Sequence, residues 1–161
     1  MIRKVMLSDA EAICTIYNYY ILNSVATFEL ESVDTDEMMR RIKRITQKFP
    51  WIVYVEANEL LGYAYADDWK TRKAYKYTVE STIYIKNGYN GQGIGSRLYM
   101  FLLNELTKIN IHAVIGGISL PNDASIALHE KLGFEKIGQF KDVGFKFNKW
   151  IDVGYWEHII H

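Results

Sequence analysis

The chain has 161 residues, of which 49% are hydrophobic and 24% charged, and this is typical of one globular domain with a substantial core. The 19 Lys and Arg residues balance the 19 Asp and Glu residues, so no overall charge favours nucleic acid or an anionic membrane, and a small-molecule partner fits better. Cys14 has no second cysteine to pair with, and the N-terminus has no leader pattern, so we expect a cytosolic protein.

The first half of the chain shows alternating helix and strand signals. A strand at residues 2–6 precedes Ser8-Asp9-Ala10-Glu11, whose spacing predicts a capping box and a helix ending near Asn23. A second helix is capped by Asp34 or Thr35 and stopped by Pro50, and its basic residues indicate a solvated face rather than a nucleic-acid patch. Three strands, expected to pair antiparallel, follow at residues 51–56, 60–66 and 77–85.

A glycine loop comes directly after the third of these strands. Gly91, Gly93 and Gly95 stand at alternate positions before an expected helix, where uncovered backbone N–H groups and the helix dipole favour a diphosphate. The loop ends in Ser96-Arg97 instead of the Lys-Ser/Thr of a Walker loop, so ATP or GTP is disfavoured. Ser96 also stands where a dinucleotide fingerprint has its last glycine, which disfavours NAD. A plain strand–helix turn stays open as the alternative.

The second half of the chain continues the mixed pattern. An apolar stripe through Leu98 and Leu106 predicts a helix, and residues 113–118 predict a strand parallel to the one before the loop. Asn122 is the expected N-cap of a further helix, which Gly133 ends. Strands are predicted at residues 134–140, 143–147 and 150–158. Residues 1–161 are therefore expected to form one α/β or α+β domain.

Several motifs resemble those of a known enzyme superfamily. The segment 120–134 contains Asn-x-x-Ser-x-x-Leu-His-x-x-x-Gly-Phe, and with the glycine loop it resembles the GNAT acetyl-CoA-dependent acetyltransferases. Trp-Lys-Thr-Arg-Lys-Ala-Tyr at 69–75 and Val-Glu-Ser-Thr at 79–82 are similar to the phosphinothricin and methionine sulfoximine N-acetyltransferase branch. The resemblance implies a GNAT fold, in which helices flank a mixed, mostly antiparallel, twisted sheet that splays at the acetyl-CoA site.

The resemblance also implies roles for individual residues. Glu80 is expected to be the general base, with a strand-edge carboxylate as the alternative, and His129 is either an acid for the thiolate or a satisfied core histidine. The acceptor pocket is expected to contain Phe28, Lys70, Thr71, Arg72, Ser81 and Thr82. Acetyl-CoA is expected to contact Ile83, Tyr84, Ile85, Gly91, Gln92, Gly93, Ile94, Gly95, Ser96, Asn122 and Ser125.

The implied reaction is direct acetyl transfer in a ternary complex, without a metal, to the α-amine of a small amino acid analogue such as phosphinothricin or methionine sulfoximine. Lys70 and Arg72 supply cations for the anionic groups of such an acceptor, although a solvated basic loop is the alternative. Two other functions stay open: acetylation of a protein or peptide amine, and non-catalytic acyl-CoA binding. The branch implies a homodimer, for which residues 145–156 could supply an interface or simply a monomer core.

Overall fold

The computed structural model describes residues 1–160 and contains one mixed sheet with helices on both of its faces. The strands are β1 (Ile2–Lys4), β2 (Trp51–Glu56), β3 (Glu59–Asp68), β4 (Thr78–Ile85), β5 (Ala113–Ser119), β6 (Glu135–Lys146) and β7 (Lys149–Ile159). The α-helices are α1 (Ala10–Asn23), α2 (Thr35–Thr46), α3 (Ile94–Lys108) and α4 (Asp123–Lys131).

The sheet has the order β1-β2-β3-β4-β5-β7-β6, and every neighbouring pair is antiparallel except β4 and β5. The parallel β4–β5 pair is joined for three residues only, from Thr78 opposite Ala113 to Glu80 opposite Ile115. Beyond Glu80 the two strands separate, although β4 continues to Ile85. The mixed, mostly antiparallel, splayed sheet that the resemblance implied is therefore confirmed.

The helices cover the sheet according to the alternation of side chains along β4. Tyr84 packs its ring 5.3 Å and 5.1 Å from the rings of Tyr17 and Tyr20 in α1. Ser81 points to the other face, where its hydroxyl bonds to Tyr99 of α3. Since residues 81 and 84 lie on opposite faces of a strand, α1 and α3 cover opposite sides of the sheet. The side of Tyr84 is also that of Glu80 and Thr82.

Two local predictions were wrong. The capping box at Ser8 does not form, because Leu7–Asp9 is a 3-10 turn and α1 begins at Ala10. The Asp9 carboxylate instead accepts the N–H of Met6 at 2.7 Å and pairs with Arg3 at 2.8 Å. The strands predicted at residues 134–140 and 143–147 are one strand, β6, whose register against β7 shifts between Phe140 and Gly144.

Candidate functional site

A cleft of about 550 Å³ opens where β4 and β5 separate. β4, the glycine loop, α4 and the end of β5 all contribute to its walls. The predicted cofactor residues that line it are Ile83, Tyr84, Ile85, Gly91, Gly93, Ile94, Gly95, Ser96, Asn122 and Ser125. Gln92 is outside the lining, and its carbonyl accepts a guanidinium N–H of Arg97 at 3.3 Å. The splay therefore creates the cleft, and the sequence motifs border it.

The glycine loop presents bare backbone to this cleft. Gly91 and Gly93 have φ values of +80° and +78°, which side chains rarely adopt, and a Cβ added at either would meet nothing within 4 Å. Gly93 is the N-cap of α3, so the unpaired N–H groups of the first helical turn lie at the loop. Lys131, which also lines the cleft, lies with its amine 3.5 Å from the hydroxyl of Ser96. These features fit the diphosphate of an acyl-CoA.

Two further elements shape the cofactor side of the cleft. The Asn122 side chain accepts the N–H of Ser125 at 3.1 Å and thereby caps α4. The hydroxyl of Tyr20 donates to the carbonyl of Ile85, so one backbone acceptor of the separated part of β4 is already engaged. An extended ligand that lies along this edge could form hydrogen bonds with the other backbone N–H and C=O groups of β4, as in β-strand addition.

Glu80 lies at the fork where β4 and β5 part. It is the last residue of β4 paired with β5, and its Oε2 would lie 3.5 Å from a Cβ added at Gly117, which lines the cleft. Burial is the main reason that its pKa is raised, with a further increase from Asp67 and an opposing effect of Lys70. A carboxyl group with a raised pKa beside a cleft is suited to accept a proton near neutral pH.

His129 lies at the opposite face of β4 in a buried hydrogen-bonded chain. Its Nδ1 lies 2.7 Å from the carbonyl of Ser125, which fixes the proton on Nδ1, and its Nε2 is 3.1 Å from the hydroxyl of Tyr99. Tyr99 in turn bonds to Ser81. His129 is 4% exposed, and burial lowers its pKa. Both ring nitrogens are therefore engaged inside the protein, and the imidazole is favoured in its neutral form.

The predicted acceptor residues do not form one wall. Ser81 and Thr82 line the cleft from opposite faces of β4, whereas Phe28, Lys70, Thr71 and Arg72 lie outside its lining. The Lys70 amine lies 5.0 Å from the centre of the Trp69 ring, and the Arg72 guanidinium lies 5.8 Å from that of Tyr75. Within residues 1–160 neither cation makes an ion pair, whereas Arg41 of α2 pairs with Glu29. Both charges stay available to an anion.

Phe28 lies in the connection between α1 and α2, and its ring covers Gly144 of β6. A Cβ at Gly144 would come within 2.3 Å of the Phe28 ring. Glu29, the next residue in the connection, accepts two hydrogen bonds from Arg41 at 2.7 Å and 2.8 Å. It also accepts the hydroxyl of Tyr17. The carboxylate of Glu29 is thus occupied in holding the connection.

Sequence reasoning missed several residues of the site. The ring centres of Tyr155 and Trp69 are 5.6 Å apart, and a Cβ added at Gly117 would lie 3.2 Å from the Tyr155 ring. Glycines inside a strand mark a close approach, so the pair Gly116-Gly117 was an available signal. Tyr20 and Lys131 carried no comparable signal, because Tyr20 fits the apolar face of a helix and Lys131 stands at a variable position of the motif in residues 120–134.

The structure bears on two other predictions only within the described part of the chain. Among residues 1–160, no group of three or more His, Cys, Asp or Glu side chains could hold a metal ion. Over the same residues, no helix combines the length and the apolar character that crossing a membrane requires.

Comparison with known proteins agrees with this architecture. The family described as "Acetyltransferase (GNAT) domain" matches residues 2–154. The chain is 38% identical to a phosphinothricin N-acetyltransferase of Streptomyces viridochromogenes, over 97% of this chain and 85% of the relative. It is 34% identical to an L-methionine sulfoximine/L-methionine sulfone acetyltransferase of Salmonella typhimurium, over 92% and 87% of the two chains.

A solved structure shows the same fold with the expected co-substrate. It is a GNAT superfamily phosphinothricin acetyltransferase from Sinorhizobium meliloti in complex with acetyl-CoA. The TM-score is 0.97 at 34% identity, and the match covers 99% of this chain and 88% of that one. With the glycine loop, the splayed strands and these matches together, the chain belongs to the GNAT family of acetyltransferases.

Proposed function

We propose that the protein transfers the acetyl group of acetyl-CoA to the α-amine of a small amino acid analogue, such as phosphinothricin or methionine sulfoximine. The observation that carries the proposal is the position of Glu80, at the fork of the sheet beside the cleft that fits an acyl-CoA. The named substrates of the relatives give the acceptor class. Residues 1–161 would act as one catalytic domain.

In this proposal Glu80 removes a proton from the acceptor ammonium group, directly or through a water molecule, and leaves a neutral amine that attacks. Acetyl-CoA supplies the acyl group as a thioester: the amine nitrogen adds to its carbonyl carbon, the C–S bond breaks as the tetrahedral intermediate collapses, and the thiolate takes up the second proton that the nitrogen loses. A backbone N–H of residues 83–85 is suited to stabilise the developing oxyanion, because β5 leaves that edge of β4 unpaired.

We propose His129 as a positioning residue rather than the acid for the thiolate. Its Nδ1 proton is directed at the Ser125 carbonyl, and its Nε2 lone pair faces the Tyr99 hydroxyl. A protonated ring is disfavoured by burial, which lowers its pKa. The chain from His129 through Tyr99 to Ser81 would instead hold α4 against β4, beside Glu80.

Lys70 and Arg72 are proposed to bind the two anionic groups of the acceptor. They are exposed cations without ion pairs in the described part of the chain, and they follow Trp69, which contacts Tyr155 near Gly117. Thr71 lies between them, and Thr82 faces the same side of β4 as Glu80. An acceptor with a carboxylate and a second oxyanion would satisfy both cations.

The test is CoA release from acetyl-CoA by the purified protein with a panel of acceptors. The panel contains phosphinothricin, methionine sulfoximine, methionine sulfone, common amino acids, polyamines and a peptide with a free N-terminus. We expect turnover with the glutamate-like analogues. Turnover with the peptide alone would assign the protein-modifying function, and acetyl-CoA binding without turnover of any acceptor would assign non-catalytic binding; either result contradicts the proposal.

We also propose that the protein is a homodimer. The β6–β7 hairpin at the sheet edge exposes a group of large apolar side chains, each between 51% and 67% exposed, and such a patch is typical of an interface. Its members are Ile137, Phe140, Val143, Phe145, Phe147 and Trp150. Light scattering should give twice the chain mass of 18.8 kDa, and Trp150→Glu should give the single mass. The resemblance to the phosphinothricin acetyltransferases also implies a part in herbicide or antibiotic resistance, and this role and a cytosolic location stay predictions.

A further inference from the structure

The connection between α1 and α2, residues 24–34, crosses from β4 to β6. The hydroxyl of Tyr84 in β4 donates to the carbonyl of Ala26 at 3.2 Å, and the amine of Lys146 in β6 donates to the carbonyl of Thr27 at 2.8 Å. β5 and β7 lie between these two strands in the sheet. The connection therefore passes over the open fork, on the face of the sheet that carries Glu80.

Lys146 is an unusual residue to find at such a contact. It is 3% exposed, although lysine is almost never fully buried, and within residues 1–160 it makes no ion pair. Burial lowers its pKa. Its amine donates to the Thr27 carbonyl and also lies 5.1 Å from the centre of the Phe147 ring, and both contacts compensate the burial. A buried amine at this contact indicates that Lys146 serves to fix the position of the Thr27 backbone.

Gly144 lies two residues before Lys146 and faces the same side of β6. The Phe28 ring occupies the space that a Cβ of Gly144 would need, since its ring atoms would lie 2.3 to 2.9 Å from that Cβ. β6 thus contacts two successive residues of the connection. The Lys146 amine binds the Thr27 carbonyl, and Gly144 leaves the space that the Phe28 ring occupies.

The rest of the connection is fixed from the α1 and α2 side. The Thr27 hydroxyl lies 2.8 Å from that of Tyr17, and the N–H of Glu29 donates to it at 3.2 Å. Glu29 is paired with Arg41 of α2. Phe28, between these two anchored residues, is nonetheless 40% exposed. A ring held this firmly but left open on one side is suited to contact a ligand.

We propose that Lys146 and Gly144 are positioning residues for the acceptor, which act by fixing Phe28 as a wall of the acceptor pocket over the fork. The inference rests on the proposed acetyl transfer to a small amine. Neither residue touches the reacting atoms in this proposal, and the cofactor end of the cleft is independent of both.

The decisive experiment compares steady-state constants of Lys146→Met, which keeps the apolar stem and removes the amine, with those of the wild type. We expect the acceptor KM to rise about three- to tenfold, the range of one lost hydrogen bond, with the KM for acetyl-CoA unchanged. Gly144→Ala should act in the same direction by displacing Phe28. Lys149→Met, an exposed lysine of β7, is the matched control and should change neither constant.

A double-mutant cycle tests whether the effect passes through Phe28. In a Phe28→Ala background, Lys146→Met should add no further change in acceptor KM. Full additivity of the two substitutions would overturn the proposal, as would an acceptor KM of Lys146→Met within about twofold of the wild-type value. An equal rise in both KM values would also overturn it, because a general loss of packing would have that effect.

Hydrogen exchange supplies a readout that does not need turnover. The amides of Ala26 and Glu29 donate to the side chains of Ser24 and Thr27, and they should exchange faster in Lys146→Met than in the wild type or in Lys149→Met. Unchanged exchange would overturn the positioning role. If no acceptor in the panel is acetylated, the proposed function fails, while this measurement still decides whether Lys146 holds the connection.

Discussion

The two ends of the cleft are built from different parts of the chain. The cofactor end is mostly main chain: the glycine loop, the unpaired edge of β4 and the first turns of α3 and α4. The proposed acceptor end, at the fork beside the cleft lining, would instead be made of side chains on separate elements, among them Glu80, Tyr155 and Phe28. Backbone recognition needs few residue types, so one scaffold can keep its donor while the side chains of the other end change the acceptor.

Removal of the proposed base should have the largest effect and should affect only the acceptor end. Glu80→Gln should lower kcat about 10²- to 10⁴-fold, the usual contribution of a general base, because the amide cannot take the ammonium proton. Acetyl-CoA affinity, measured by calorimetry, should stay at the wild-type value. Loss of affinity together with kcat would contradict the separation of the two ends.

The pH dependence of the wild type sharpens the same point. Burial raises the pKa of Glu80, and only its deprotonated form is a base, so kcat/KM should fall as the pH drops through a value above the usual range of a glutamate. This acidic limb should disappear in Glu80→Gln. A profile identical in shape in both proteins would assign the limb to another group.

Arg72→Ala tests the acceptor end with the next largest effect. Loss of a hydrogen bond to a charged group is worth about 1.5 to 3 kcal/mol, so the acceptor KM should rise about 10- to 100-fold. The KM for acetyl-CoA should not change. Lys76→Ala removes another exposed cation of the same segment and is the control. Equal effects of both substitutions would indicate general electrostatics instead of a specific contact.

Gly93→Ala tests the cofactor end. Gly93 has a φ of +78°, a conformation that costs a residue with a Cβ about 1 to 2 kcal/mol, so the loop should lose its diphosphate geometry. We expect the KM for acetyl-CoA to rise about 5- to 30-fold and that for the acceptor to stay constant. Gly138→Ala, where φ is negative and the space is open, should have no effect on either. A rise in the acceptor KM alone would refute the assignment of the loop.

The smallest effect on turnover is expected from the hydrogen-bonded chain of Ser81, Tyr99 and His129. Tyr99→Phe removes the hydroxyl between Ser81 and Nε2 of His129, and buried groups left unpaired cost about 1 to 3 kcal/mol of unfolding free energy. Urea unfolding should show this loss, while the acidic limb of the pH–rate profile keeps its position. A shift of the basic limb of the pH–rate profile in Tyr99→Phe would instead indicate that His129 acts as an acid.

Local patterns predicted most of the elements in their right order, and the two failures arise from contacts that the local patterns do not contain. The irregularity of β6 between Phe140 and Gly144 looks like a turn in the sequence, because a bulge interrupts the alternation without ending the strand. Asp9 has the residue type of a helix cap, but the salt bridge with Arg3 directs its carboxylate backwards. Both outcomes depend on partners outside the local window.

The glycine loop of the cofactor end was predictable from local sequence. The spacing of Gly91, Gly93 and Gly95 after a strand already predicts an anion loop, because main-chain recognition requires side chains to be absent at closely spaced positions of the chain. The contacts of Phe28 and the hydrogen bonds of His129, in contrast, follow from the tertiary structure alone. Lys146 approaches Thr27, 119 positions away, and Tyr99 faces His129, 30 positions away, through the packing of the sheet and its helices. Contacts at such separations follow from where the strands pair and part, and no residue spacing records that.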